Sequence, residues 1–95
     1  MAESRVSIAT LNGGRYLRQL CKHWAHRLEV EETGDQACLR LPQAFLTMAA
    51  DPSALHIHLR ADQDGDLQAM QEVVSSHLDR FAFREAPFAL EWVES

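Results

Sequence analysis

The chain is poor in the features that most often define small proteins. Cysteine occurs only twice, at Cys21 and Cys38, with no paired CxxC spacing. That excludes a disulfide-stapled toxin. Four glycines and three prolines are too few for a low-complexity or disordered chain. No apolar run approaches the roughly 20 residues of a membrane-spanning helix. The start, Met1-Ala2-Glu3-Ser4-Arg5, carries no apolar export segment, so a cytoplasmic setting with both thiols reduced is expected. Basic residues are also scarce, nine against fourteen acids for a net charge of −5, which argues against a general nucleic-acid binder. The 95 residues allow a single domain, 1–95, burying about 65% of its surface. They leave no room for a two-domain enzyme or a full dinucleotide fold. No phosphate-cradling glycine loop, GxSxG or HExxH is present.

What the chain does have is clear periodicity. Val6 and Ile8 alternate with Ser7 and Ala9 in a short strand. Leu17, Leu20, Cys21, Trp24 and Leu28 then recur at three- and four-residue spacing. They form one face of a helix expected over 12–27, with Thr10-Leu11-Asn12 as its cap. Gly13 and Gly14 open that helix without side chains, so another segment can approach its first turn closely. Alternation resumes at residues 28–32 and 37–41 around the turn Thr33-Gly34-Asp35. Phe45 to Ala49 reads as the next strand. After Asp51-Pro52-Ser53, Leu55, Ile57 and Leu59 point one way, and His56, His58 and Arg60 the other. Asp62-Gln63-Asp64-Gly65-Asp66 opens a second helix with Leu67, Met70, Val74, Leu78 and Phe81 as its stripe, ended by Pro87. Those acids resemble the start of a calcium loop, but Leu67 and Val73 stand where the loop needs glycine and a bidentate glutamate. Phe88, Leu90 and Trp92 alternate in a last strand. The order β-α-β-β-β-β-α-β specifies an α+β, two-layer sandwich: an antiparallel sheet with two helices on one face.

Charge is distributed unevenly. Arg5 to Arg27 holds five basic residues and no acid, whereas Met48 onward holds three basic and nine acidic residues. Such asymmetry suits a local anion site or self-association. Lys22, His23, His26, His77, Arg80 and Arg84 are the candidate ligand-binding residues. His23 and His26 lie close around the helix axis, beside Lys22, which favours an anion over a cation. Arg80 and Arg84, four apart, can clamp a carboxylate or phosphate. The plainer readings are solvated histidines, a satisfied core His77 and structural salt bridges, and they carry more weight. His56, His58 and Cys38 share the outer sheet face and form the low-weight metal set, for zinc or copper. A Cys21–His77 pair is the arrangement through which a small enzyme would activate a thiolate. The open face of the sheet also suits a homodimer.

Two phrases, Leu20-Cys21-Lys22-His23-Trp24-Ala25-His26 and Ser76-His77-Leu78-Asp79-Arg80-Phe81-Ala82-Phe83-Arg84-Glu85-Ala86-Pro87, resemble the bacterial domain-of-unknown-function family 2218. The likeness spans nearly the whole chain. Some members of that family adjoin or are fused to siderophore-interacting flavoproteins, so the resemblance implies a tie to iron acquisition, with no residue role to carry over. The combined expectation is a non-enzymatic accessory module for a small anionic ligand or a partner protein, without a cofactor, a general nucleic-acid target or a membrane. The competing expectations are a metal- or haem-binding protein and a Cys21–His77 enzyme.

Overall fold

The computed structural model describes residues 2–63, 65–82, 84–85 and 90–94. The elements are β1 (Glu3–Ala9), α1 (Gly13–Trp24), β2 (Val30–Thr33), β3 (Gln36–Leu41), β4 (Ala44–Asp51), β5 (Ala54–Ala61), α2 (Leu67–Phe81) and β6 (Val93–Glu94). They form one six-stranded sheet in the order β2-β3-β4-β5-β1-β6. Every pair is antiparallel, and the α+β order matches the periodicity.

Alternation accounts for the layering. In β5, Leu55, Ile57 and Leu59 are buried while His56 and Arg60 are exposed. Val6 and Ile8 in β1 and Leu39 and Leu41 in β3 are buried on the same inner face. The stripe Leu17, Leu20, Cys21 and Trp24 of α1 and the stripe Leu67, Met70, Val74 and Leu78 of α2 join them in a single core. Each side chain brought wholly out of water in this way contributes about 2 kcal/mol. β1 lies between β5 and β6, so α2 joins two parallel strands across it, and α1 carries the chain from β1 to the far edge strand β2.

Several boundaries differ from the sequence reading. α1 ends at Trp24, not at residue 27. The amides of Arg27 and Leu28 both donate to the Trp24 carbonyl, closing a turn that redirects the chain into β2. Asn12 precedes α1 without a side-chain cap. Its own amide instead donates to Thr10 Oγ1 at 3.1 Å, and the Thr10 hydroxyl donates to Glu85 at 3.0 Å. Tyr16 also donates to Glu85, so residues beyond α2 clasp the start of α1. α2 begins after Asp66, whose carboxylate accepts from the Ala69 amide at 3.0 Å; Asp62 pairs with Arg40. The helix ends at Phe81, and Pro87, its expected stop, lies outside the described residues. The last strand is only Val93–Glu94, set against Ser4 and Arg5. Phe88 lies outside the described residues, while Leu90 and Trp92 pack partly buried against the core.

The bare first turn of α1 has a definite use. A Cβ on Gly13 would come within 2.9 Å of the Ala54 carbonyl oxygen at the start of β5. The helix therefore rests backbone to backbone on the β4–β5 turn. Gly34, at φ 60°, supplies the left-handed position of the β2–β3 hairpin. In an ordinary helix, Gly13→Ala would stabilise by about 1 kcal/mol. Here it is expected to destabilise by about 1–3 kcal/mol, because backbone on both sides must move. Urea unfolding of the two proteins checks the sign.

Candidate functional site

α1 and α2 run antiparallel over the sheet. The amphipathic spacing of each helix brings four rings together where they meet. The His23 and His77 ring centroids lie 5.2 Å apart, Trp24 and His77 5.1 Å, and His23 and Phe81 5.4 Å. The two phrases Leu20–His26 and 76–87 thus converge at one place. Beside this ring cluster is a groove of about 590 Å³, walled by His23, His26, Arg27 and His77 and floored by Trp24, Leu28, Leu41, Pro42, Met70 and Val73. Among the described residues, no acidic side chain lines it.

Electrostatics mark the groove as short of negative charge. Partial desolvation comes first, and the nearby His77, Arg80, His26 and Arg27 follow, in holding His23 below the ordinary histidine value. His77 Nδ1 lies 2.7 Å from the Val73 carbonyl oxygen. A carbonyl can only accept, so Nδ1 carries the proton and Nε2 is left to bond a ligand. The site is therefore a set of cationic or protonatable groups over an apolar floor, suited to a ligand with an anionic head and an apolar body.

The six ligand-binding candidates divide. His23, His26 and His77 share the groove, and Arg80 is close enough to act on His23. Lys22 is exposed and outside the lining. Arg84 belongs to a second cleft, of about 390 Å³, with Asn12, Arg15, Tyr16 and Glu85. There Tyr16, then Thr10 and Asn12, hold the Glu85 carboxyl below the usual range, against a smaller opposing effect of burial. The sequence reading missed Arg27, although it lies one helical turn beyond His23, and it missed the floor supplied by Pro42 and Met70.

The proposed metal set is on one face but committed elsewhere. Cys38, Thr47, His58 and Arg5 stand in register across four strands. His56 contacts Ser7 Oγ at 2.7 Å and Asp51 at 2.8 Å, using both ring nitrogens. His58 Nε2 lies 3.2 Å from Glu3. Among the described residues, no group of three or more His, Cys, Asp or Glu side chains is placed to hold a metal ion.

The thiol pairing has no geometric support. Cys21 is 2% exposed, and burial first, then Glu32, pushes its thiol up to about 11. His77 turns to Val73, His23 and Trp24 instead.

A family model described as an uncharacterized protein conserved in bacteria (DUF2218) matches residues 5–93. The NMR structure of PA4090 from Pseudomonas aeruginosa is similar at 30% identity and a TM-score of 0.75, covering 100% of this chain and 96% of that one. No curated protein matches the chain. No helix among the described residues is long and apolar enough to cross a membrane.

The two cysteines should differ sharply in reactivity. Iodoacetamide at neutral pH is expected to modify the half-buried Cys38 and spare Cys21 until the protein is unfolded. Peptide mapping reads the order, and early labelling of Cys21 would contradict its burial.

Proposed function

The chain belongs to this family of uncharacterized bacterial proteins, and from that premise we propose that it is a non-enzymatic binding module for a small amphipathic anion, held in the groove between α1 and α2. The observation that carries the reading is the meeting of His23, His26, His77 and Arg27 around an apolar floor, with no acid among the described residues lining it. In a chain of net charge −5, such a spot is an exception and not a property of the whole surface. The C-terminal end of α1 also points toward this region. Its partial negative charge, about half a unit, is outweighed by Arg27 alone.

The chemistry follows from the donors. Arg27 offers a planar fork to a carboxylate or phosphate. His77 Nε2 binds an anion once it is protonated, and Trp24 and Met70 receive an apolar or aromatic body. Aromatic and hydroxy acids that chelate iron fit this description and connect with the tie to iron acquisition that the family likeness implied. A cytoplasmic setting completes the reading.

Binding should consume protons. An anion raises the histidine pKa values, so affinity is greatest at low pH and falls as pH rises from the free-state value of His23, below 6.5, through the higher bound-state value. Calorimetry with citrate, phosphate and 2,3-dihydroxybenzoate at pH 6 and pH 8 is the test. Tighter binding with proton uptake at pH 6 is expected, and Arg27→Gln should weaken it about tenfold, the loss of roughly one charge-assisted hydrogen bond. If none of these acids perturbs the ring signals of His23 and His77 in NMR spectra, the anion reading is wrong.

A further inference from the structure

The sheet has a second face, turned away from both helices. Its middle rows are Gln36, Ala49, His56 and Ser7, and Cys38, Thr47, His58 and Arg5, with Glu31 of β2 beside Cys38; the full charges of these rows, Glu31 and Arg5, stand at their outer ends. Cys38, Thr47 and Ala49 are already half-buried without any partner. A shallow depression of about 460 Å³ runs over this strip. The remaining charges are at the strand ends, where Glu3 stands opposite Arg60 and Asp62 pairs with Arg40. Arg40 and Arg60 flank Phe45 in one row, with the Arg60 guanidinium 6.0 Å from the Phe45 ring centre. Asp51 stands at the opposite end of β4 and is held down to about 2, chiefly by His56 and Ser53. A neutral centre with charged margins is the anatomy of a protein interface.

We propose that this face is where a second copy of the chain docks, sheet against sheet, about a two-fold axis lying between the faces and crossing the strands. Rotation about that axis reverses the strands and keeps their order. It sets Arg60 of one copy diagonally across from Asp51 of the other, twice, while Arg40 stays with Asp62, so the face offers itself two cross-copy ion pairs. Thr47 then meets Ala49 of the second copy beside the axis. The edge strand offers a poorer route to association: β2 is Val-Glu-Glu-Thr, and its exposed Glu31 and Glu32 repel an added strand. The size also fits a pair. Five strands about 4.8 Å apart and about 24 Å long present roughly 500 Å² per copy, or about 1,000 Å² in total, the lower limit for a specific interface. A weak, reversible dimer is expected at this size, and both helical grooves stay open on its outer surfaces.

Sedimentation equilibrium of the full chain, from micromolar to near-millimolar concentration, should show a monomer–dimer equilibrium. Thr47→Arg, at the centre, should leave only monomer, with an unchanged amide NMR pattern elsewhere showing that the chain still folds. Arg60→Glu or Asp51→Lys alone should weaken association, and the two together should restore it. A measurement without substitutions comes from Cys38, which lies one row from the axis, about 7 Å along the strand from the equivalent position of its mate. A short bismaleimide should join Cys38 to Cys38 in dilute protein. Monomer at every concentration, or a dimer indifferent to Thr47→Arg and not joined through Cys38, overturns the proposal.

Discussion

The apolar inner face of the sheet has to be covered, and two helices of unequal length must cover it. Every feature of the site depends on that constraint. The four central strands present a layer of Leu, Ile, Val, Met and Ala, with buried Ser4 at one end of β1, which neither helix alone can shield. α1 must also cross from β1 to β2, so its direction is fixed by the two strands it joins. α2 occupies the ground left beside it and meets α1 through Trp24, His77, His23 and Phe81. The backbone contact of Gly13 with Ala54 sets the height of α1, and the Glu85 bonds to Thr10 and Tyr16 tie the two helix ends together. The groove is the space left where α1 stops at Trp24 while α2 continues alongside.

That origin explains the composition of the groove. Where a helix stops early, its last turn cannot bury every side chain, and residues 23–27 project over apolar surface while staying in contact with water. Histidine and arginine suit such a position, because each carries a flat apolar body and a polar edge. Lysine at position 22 faces solvent instead and takes no part. The same border position depresses His23: it is dry enough to disfavour charge and close enough to other cations to feel them. Structural compensation of the α1 carbonyl end accounts for some of this basic character. It does not account for Arg80 and His77, which arrive from another helix.

The architecture was legible in the sequence because its signals are local. Period-two alternation in β5 and the three-and-four spacing of α1 each report a buried face without knowledge of any neighbour. The termini of elements were less legible. Nothing local says that the amides of Arg27 and Leu28 turn back to Trp24, or that Glu85 replaces Asn12 as the polar partner of the α1 start. The site was legible by halves for the same reason. His23 and His26 are separated by one helical turn and can be grouped from spacing. The meeting of His23 with His77 is a contact across 54 residues, which depends on helix crossing. Arg84 and Arg80 look equivalent as an i, i+4 pair, yet α2 ends at Phe81, so Arg84 leaves the helix for the cleft beside Glu85 while Arg80 stays near His23. The attraction of Cys21 for a catalytic role rested on residue type. Burial removes it, since the thiolate would have to form in the core.

The two sides of the molecule therefore follow opposite logics built from the same few residue types. On the helical side, histidines lie near other cations, with no acid among the described residues along the groove wall. On the open side of the sheet, His56 and His58 each stand beside a carboxylate, Asp51 and Glu3, and these polar groups satisfy one another. Mutual pairing lowers the desolvation cost of bringing a flat surface against that face, whereas a cluster without acidic neighbours retains its pull on a free anion. With histidine identity the same in both settings, the neighbours decide which face attracts a charged ligand and which tolerates being covered.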